Sequence, residues 1–146
     1  MKTDPKARYQ GYTFYFREGL CWIDVSNETL KVRVKGKGVY DVLSMSLFSV
    51  CEITDSYFVA LMNTNLIGTY VQNFINNTCH FQINDARQLP IIIPDDDTYK
   101  SIKRIAEESV TIKKSNNFGN DDIQANEILS KLQFELNNIV FNLYKI

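Results

Sequence analysis

The sequence has few of the residues that build catalytic or metal centres. It contains one histidine, His80, and three cysteines, Cys21, Cys51 and Cys79, with no C-x-x-C pair. An odd number of cysteines and a single histidine leave no zinc constellation and favour reduced thiols in a cytoplasmic protein. No glycine-rich phosphate loop, nucleophile-elbow serine or nuclease-type acid–lysine pattern occurs. We therefore expect no catalytic site, no metal site and no cofactor within this chain.

Long hydrophobic runs are also missing. No apolar stretch reaches the ~18 residues that a membrane-spanning helix needs, and the first ten residues, MKTDPKARYQ, carry charges without the apolar stretch of a signal peptide. The chain of 146 residues is 45% hydrophobic and 23% charged, which is typical of a soluble globular protein with one domain and room for a helical appendage. These absences predict a cytoplasmic protein without a membrane partner.

Positive charge is concentrated at the amino end. Residues 1–40 contain eight Lys/Arg and four Asp/Glu, a net charge of +4, whereas residues 41–146 carry a net charge of −5. Such asymmetry predicts either a basic surface for a polyanion or an ordinary solvated strand face, and charge alone does not separate the two. The eight basic residues are Lys2, Lys6, Arg8, Arg17, Lys31, Arg33, Lys35 and Lys37.

Residues 29–34 and their neighbours alternate apolar and basic side chains. This period of two predicts a strand that directs its apolar side chains into the core and its basic ones to the opposite face. The apolar set is Leu30, Val32 and Val34, and the basic set is Lys31, Arg33 and Lys35. Lys37 follows in a Gly-Lys-Gly turn. A face of this kind can contact DNA phosphates or guanine edges.

The rest of the chain indicates an α+β fold, with a small β-rich body, supporting helices and a C-terminal helical pair. Residues 13–24 read as two further short strands, and residues 88–93 read as an apolar strand that Pro90 places at a sheet edge or a strand start. Apolar spacing of three and four residues predicts helices. The expected helices cover 56–75, 99–113 and 123–144, and residues 114–122 form a linker.

Further candidates for nucleic-acid contact combine aromatic, amide and basic groups. Arg8 and Tyr12 precede the basic strand, and Asn76, Asn77 and Gln82 follow the first predicted helix. Amide side chains suit adenine readout, although turns attract Asn for local reasons as well. Trp22, between Cys21 and Ile23, is expected in the core rather than on a stacking surface.

Residues 57–94 contain two motifs whose specific residue patterns go beyond what an ordinary helix and strand require. The first is Ala60-Leu61-Met62-Asn63-Thr64, and the second runs Ile83-Asn84-Asp85-Ala86-Arg87-Gln88-Leu89-Pro90-Ile91. They resemble the "ALLNS-like" helix and the "I-x-D-x-x-x-L-P-I-x-x-P" strand of the target-recognition domain of bacterial restriction-modification DNA methyltransferases. Gly19-Leu20-Cys21-Trp22 is similar to an earlier strand, and residues 128–144 are similar to the closing helix, of TaqI-like C-terminal specificity domains. The resemblance covers about residues 8–146.

The resemblance implies DNA target recognition for an adenine-N6 methyltransferase. It assigns residues 1–113 to the recognition domain, 114–122 to a linker and 123–146 to a helix packed on or beside it. The Asn-Pro-Pro-Tyr catalytic tetrapeptide and the S-adenosylmethionine loop of the family do not occur here. The chain therefore looks like the specificity part alone, and its implied partners are double-stranded DNA and a catalytic domain or subunit that binds S-adenosylmethionine.

A rival hypothesis is a protein–protein interaction module without DNA contact. The acidic remainder of the chain and the apolar stripe along residues 128–143 motivate it, because such a helix can form a homodimer instead of folding back. The two hypotheses differ in whether the basic strand binds DNA and whether the last helix is needed for oligomerisation.

Overall fold

The computed structural model describes residues 11–24, 30–39, 44–116 and 121–145. Three antiparallel strands form one sheet in the order β2-β1-β3, and helices pack against one of its faces. The strands are β1 (Gly19–Ile23), β2 (Arg33–Lys35) and β3 (Ser44–Leu47). The helices are α1 (Asp55–Met62), α2 (Asn65–Tyr70), α3 (Ile83–Ala86), α4 (Asp96–Ser115) and α5 (Ile123–Tyr144). The α+β class is confirmed.

Hydrophobic burial joins the sheet and the long helices in one cluster. Leu20 and Trp22 of β1 share this cluster with Ile102 and Ile105 of α4. From α5 come Leu132, Leu136 and Val140, all buried. The helix over residues 123–144 is confirmed, and its apolar stripe packs on α4 and α2 of the same chain.

The expected helix over residues 56–75 is interrupted. It ends at Met62, restarts at Asn65 with the Thr64 hydroxyl capping Ile67 N–H, and finishes in a π-helical turn, Val71–Ile75. At the interruption the Asn63 side chain binds the backbone of Val32 and of Val59, as described below. Serine, threonine and asparagine favour such caps over helix interiors.

Two expected strands do not form. Residues 12–14 make a 3-10 turn, Tyr12–Phe14, in place of the first strand. Residues 88–93 pair with no strand among the described residues, because Pro90 and Pro94 lack the N–H that a ladder needs. Instead the hydroxyls of Tyr57 and Tyr144 donate to the carbonyls of Ile92 and Pro90 and hold the segment on the helices.

The helix expected over residues 99–113 is longer at both ends. The Asp95 carboxylate accepts from Thr98 N–H at 2.9 Å and from the Thr98 hydroxyl at 3.2 Å, and it caps the helix that begins at Asp96. These hydrogen bonds from Thr98 lower the pKa of Asp95. The helix continues to Ser115, so the described part of the expected linker 114–122 begins after this residue.

Candidate nucleic-acid interface

The sheet face that turns away from the helices is built around Gly19. Register pairs Gly19 with Lys35 and Cys21 with Arg33, so these four residues share that face. A Cβ on Gly19 would lie 2.6 Å from the Leu47 carbonyl oxygen and 2.7 Å from the Phe48 ring. Only glycine allows Phe48 to lie over the strand at this position.

Phe48 belongs to a stack of rings and cations at this end of the sheet. Its ring lies 5.1 Å from the Phe14 ring at an interplanar angle of 22°. The Arg17 guanidinium carbon lies 5.1 Å from the Phe14 centroid and 5.9 Å from the Phe48 centroid. Lys35 Nζ lies 5.7 Å from the Phe48 centroid. These cation–π contacts fix the direction of Arg17, which is otherwise exposed.

Lys35 corrects the expected alternation along β2. The Lys35 residue is only 9% exposed to solvent. Its ammonium donates to the carbonyls of Gly36 and Gly38, both at 3.3 Å. Val34, expected in the core, is 46% exposed because β2 is a short edge strand. Lys35 therefore supports the Gly36–Gly38 turn and is not part of an exposed basic row.

The remaining predicted cations lie on the surface. Lys31, Arg33 and Lys37 are exposed, and so is Arg17, which the sequence reasoning did not select. Register places Lys31 near the Ile23 end of β1 and Lys37 beyond the Gly19 end. The cations thus extend along a strand of five residues, roughly 15 Å. Tyr12 is 52% exposed in the adjoining 3-10 turn. Arg8 lies outside the described residues.

Asn76 is a correction to the expected adenine readers. Its Nδ2 donates to the His80 carbonyl at 2.8 Å and to Asp85 Oδ2 at 3.1 Å, while its Oδ1 accepts from Thr78 N–H and Thr78 Oγ. Both amide hydrogens and both oxygen lone pairs are thus satisfied inside the protein. Asn76 shapes the loop and has no hydrogen-bonding capacity left for a base edge.

Asn77 and Gln82 are exposed on that loop. The loop is attached to the end of β1, since Phe81 N–H donates to the Asp24 carbonyl at 2.9 Å. Trp22 Nε1 donates to the Phe81 carbonyl at 2.8 Å and is buried, as its sequence context predicts. The loop therefore lies at the end of β1 where Lys31 is located, and the fold brings the amide and basic candidates to one region.

Asn63 connects the helical layer to the basic strand. Its Oδ1 accepts from Val32 N–H at 2.9 Å, and its Nδ2 donates to the carbonyls of Val32 and Val59, both at 2.8 Å. The amide thereby pairs with the backbone of Val32 as a neighbouring strand would. Asn63, the asparagine of the Ala60–Thr64 motif, therefore fixes the backbone between Lys31 and Arg33.

Asp85 has a supporting role as well. Its Oδ2 accepts from Gln82 N–H at 2.8 Å and from Asn76 Nδ2, so one carboxylate caps α3 and closes the loop. Sequence reasoning identified both motif residues by resemblance but not these contacts. It also missed Phe14, Arg17 and Phe48, whose only local signal is the F-x-x-R spacing of residues 14–17.

Other parts of the described structure offer little chemistry. Within those ranges no group of three or more His, Cys, Asp or Glu side chains is placed to hold a metal ion. An open cleft of about 500 Å³ lies between the start of α4 and the end of α5 and is lined by Asp95, Asp97, Asn142 and Lys145 among others. A hydrogen bond from Ser49 lowers the pKa of the exposed thiol of Cys51. Among the described helices, none combines the length and apolarity required to span a membrane.

No protein-family model matches the chain, and no curated protein is significantly similar to it.

Proposed function

We propose that this chain recognises a DNA target, as the specificity part of a bacterial restriction-modification adenine-N6 methyltransferase in the cytoplasm. The observation that carries the proposal is the surface made by Lys31, Arg33, Lys37 and Arg17, hereafter the basic face. Arg33 lies on β2, Lys31 and Lys37 flank that strand, and Arg17 precedes the neighbouring β1. Exposed aromatic and amide groups lie beside them. Cations of this kind position a protein on DNA phosphates, and the amide and guanidinium groups among them can read base edges.

The supporting contacts favour a rigid recognition surface. Asn63 fixes the backbone on either side of Val32, Lys35 fixes the turn that carries Lys37, and the Phe14–Phe48 stack fixes Arg17. A surface held in place before binding loses less conformational entropy on association. In this proposal the motif at residues 60–64 supports the basic face through Asn63, and the motif at residues 83–91 shapes the adjoining loop through Asp85.

Methylation itself would belong to a catalytic domain or subunit that supplies S-adenosylmethionine and extrudes the adenine. This step follows from the resemblance of residues 57–94 to the methyltransferase family. Nothing in the proposed role of this chain requires a cofactor or a catalytic residue of its own.

The rival role, a protein–protein interaction module without DNA contact, was motivated by the acidic remainder of the chain and by the apolar stripe of α5. Leu132, Leu136 and Val140 of the apolar stripe are buried in the core of their own chain. This part of the stripe packs within its own chain, which favours the DNA-recognition proposal, whereas Ile128 at the start of the stripe remains 41% exposed.

The test is binding to a random-sequence duplex pool at low and moderate salt, followed by sequencing of the retained fraction. We expect an enriched short motif and an affinity that falls with salt. In the triple variant Lys31→Ala, Arg33→Ala, Lys37→Ala, the slope of log affinity against log salt should decrease by up to about 3, at ~0.9 per phosphate contact.

The control is the triple variant Lys100→Ala, Lys114→Ala, Lys131→Ala, which removes equal charge from exposed positions on α4 and α5. It should retain most of the slope, since these helices lie away from the basic face. An equal decrease of the salt slope in both variants would mean that overall charge governs DNA binding, and the assignment of the basic face would be wrong. Absence of retention by the unmodified chain at low salt would overturn the proposed function.

A further inference from the structure

Phe16 has a backbone conformation that its side chain does not explain. Its φ is 61°, in the left-handed region that bulky L-residues rarely adopt. Its N–H donates to the Gly38 carbonyl at 2.9 Å, which holds the residue there. The ring nevertheless remains 66% exposed, so little hydrophobic burial offsets the strain. Strained residues of this kind cluster at functional sites.

The neighbours of Phe16 are fixed on both sides along the chain. Phe14 stacks on Phe48, and Arg17 lies over both rings at 5.1 and 5.9 Å. The hydrogen bond to Gly38 also brings Phe16 beside the turn that Lys35 braces. The exposed Phe16 ring is therefore attached to a backbone that is fixed on both sides, and it can meet a partner as a pre-positioned apolar group.

Charge around this ring indicates which partner it meets. Arg17 follows Phe16 directly in the sequence. Lys37 precedes Gly38, whose carbonyl accepts the hydrogen bond from Phe16 N–H. These two cations outnumber the one nearby acid, Glu18, so the surroundings are net positive and favour a partner that combines negative charge with apolar surfaces that an aromatic ring can enter. Duplex DNA has both, in its phosphates and in the faces of its stacked bases. Apolar side chains flanked by cations enter base steps in this way in proteins that kink DNA.

We propose that Phe16 is a wedge that inserts between two neighbouring base pairs of the bound duplex. The inference rests on the proposed DNA-binding function and adds a position at which the protein deforms its target. Insertion unstacks one step and bends the duplex, so that sequences with easily opened steps are preferred at that position. Arg17 and Lys37 would hold the phosphates on either side of the opened step.

The key variants are Phe16→Gly and Phe16→Leu, tested on an end-labelled 30-base-pair duplex taken from the retained pool. Glycine accepts φ of 61° without strain, so Phe16→Gly should keep or raise the melting temperature. Its affinity for the duplex should nonetheless fall about 5- to 150-fold, the range that corresponds to loss of one aromatic–base stack. Energy transfer between the labelled ends should fall to the value of unbound duplex, because the bend is lost.

Two comparisons make the result specific. Phe16→Leu should retain a reduced bend, since aliphatic side chains also act as wedges. Phe134→Ala removes a ring of similar exposure, 69%, from α5 and should change neither affinity nor energy transfer. The salt slope should be unchanged in all three variants because none removes a phosphate contact.

The outcomes separate the two proposals. If the unmodified chain binds duplex with salt dependence and Phe16→Gly binds and bends it equally, the wedge is overturned and the DNA-binding function stands. If Phe16→Gly lowers the melting temperature and the affinity together, the residue is structural and the wedge is also overturned. If no duplex is retained by the unmodified chain, both proposals fail.

Discussion

Arg33 and Lys35 are two residues apart on β2 and leave the sheet on the same face, yet their surroundings differ. Arg33 is exposed, whereas the ammonium of Lys35 donates to two glycine carbonyls and lies over the Phe48 ring. Two cations of one short strand therefore have different roles. Arg33 is exposed and belongs to the proposed DNA-binding surface, and Lys35 holds the turn that follows.

Substitution by methionine separates these roles, because it keeps the length of the side chain and removes the charge. Lys35→Met should lower the free energy of unfolding by about 1–2 kcal/mol, since two carbonyls lose their donor. Arg33→Met should change it by less than about 0.5 kcal/mol, as is usual at exposed positions. Urea denaturation measures both values.

DNA binding should show the reverse order. The salt slope should decrease by about 0.9 in Arg33→Met and remain unchanged in Lys35→Met. A Lys35→Met variant with full stability and a reduced slope would mean that Lys35 contacts phosphate and that its assignment as a support is wrong.

At the scale of elements, the extended segment between α3 and α4 depends on two tyrosines. Tyr57 of α1 and Tyr144 at the end of α5 donate to the carbonyls of Ile92 and Pro90. Burial raises the pKa of both hydroxyls above the ordinary value of 10.0. The segment is thus attached by neutral phenols, and ionisation would remove the hydrogen atoms they donate.

This arrangement predicts a loss of stability in alkaline solution. Because the folded pKa values are raised, the stabilisation is complete below pH 10 and is lost as the pH rises above it. The free energy of unfolding should therefore fall above pH 10, and the double variant Tyr57→Phe, Tyr144→Phe should show a weaker dependence. At pH 7 the same variant should be less stable by about 1 kcal/mol per lost hydrogen bond.

Guanidinium denaturation at pH 7 and between pH 10 and 11 measures these effects. Tyr70→Phe serves as the control, since this tyrosine belongs to α2 and contacts Phe74 by its ring. An alkaline transition identical in the double variant and the unmodified chain would exclude the two tyrosines as its origin.

The same elements show what sequence reasoning reaches and where it stops. α4 and α5 were predicted because helical periodicity is a local property of the chain. Residues 88–93 have the composition of a strand, but a strand needs a partner, and that partner is not encoded locally. The break at Asn63 and the burial of Lys35 depend on Val32 and Phe48, which are distant in sequence. Three of the four strand-and-turn cations were placed correctly on the surface, and the ring stack that orients Arg17 was missed.

At the scale of the whole molecule, α5 has an inner side that completes the core and an outer side that remains exposed. Leu136 and Val140 are buried, whereas Ile128 and Phe134 face outward. Arg104 of α4 bridges to Glu135, so the outer border of the helix pair is charged. This division predicts a helix that stabilises its own chain.

We expect the chain of 16.9 kDa to sediment as a monomer. The double variant Ile128→Glu, Phe134→Glu should leave sedimentation and circular dichroism largely unchanged, because Phe134 is 69% exposed and Ile128 41% exposed. Leu136→Glu should unfold the protein or destabilise it by several kcal/mol, since it buries an unpaired charge. A dimer that the outer-face variant dissociates would favour the interaction-module hypothesis over DNA recognition.

The residues that would meet DNA and the residues that hold them in place form separate sets. Asn63 binds the backbone of Val32, and Lys35 binds carbonyls of the following turn, so neither depends on which side chains occupy positions 31, 33 and 37. Exchange of those three side chains should consequently alter the preferred DNA sequence at little expense in folding. A library randomised at these three codons would then yield folded proteins with new target preferences. Mutation and selection at the same positions could change target preference in the same way.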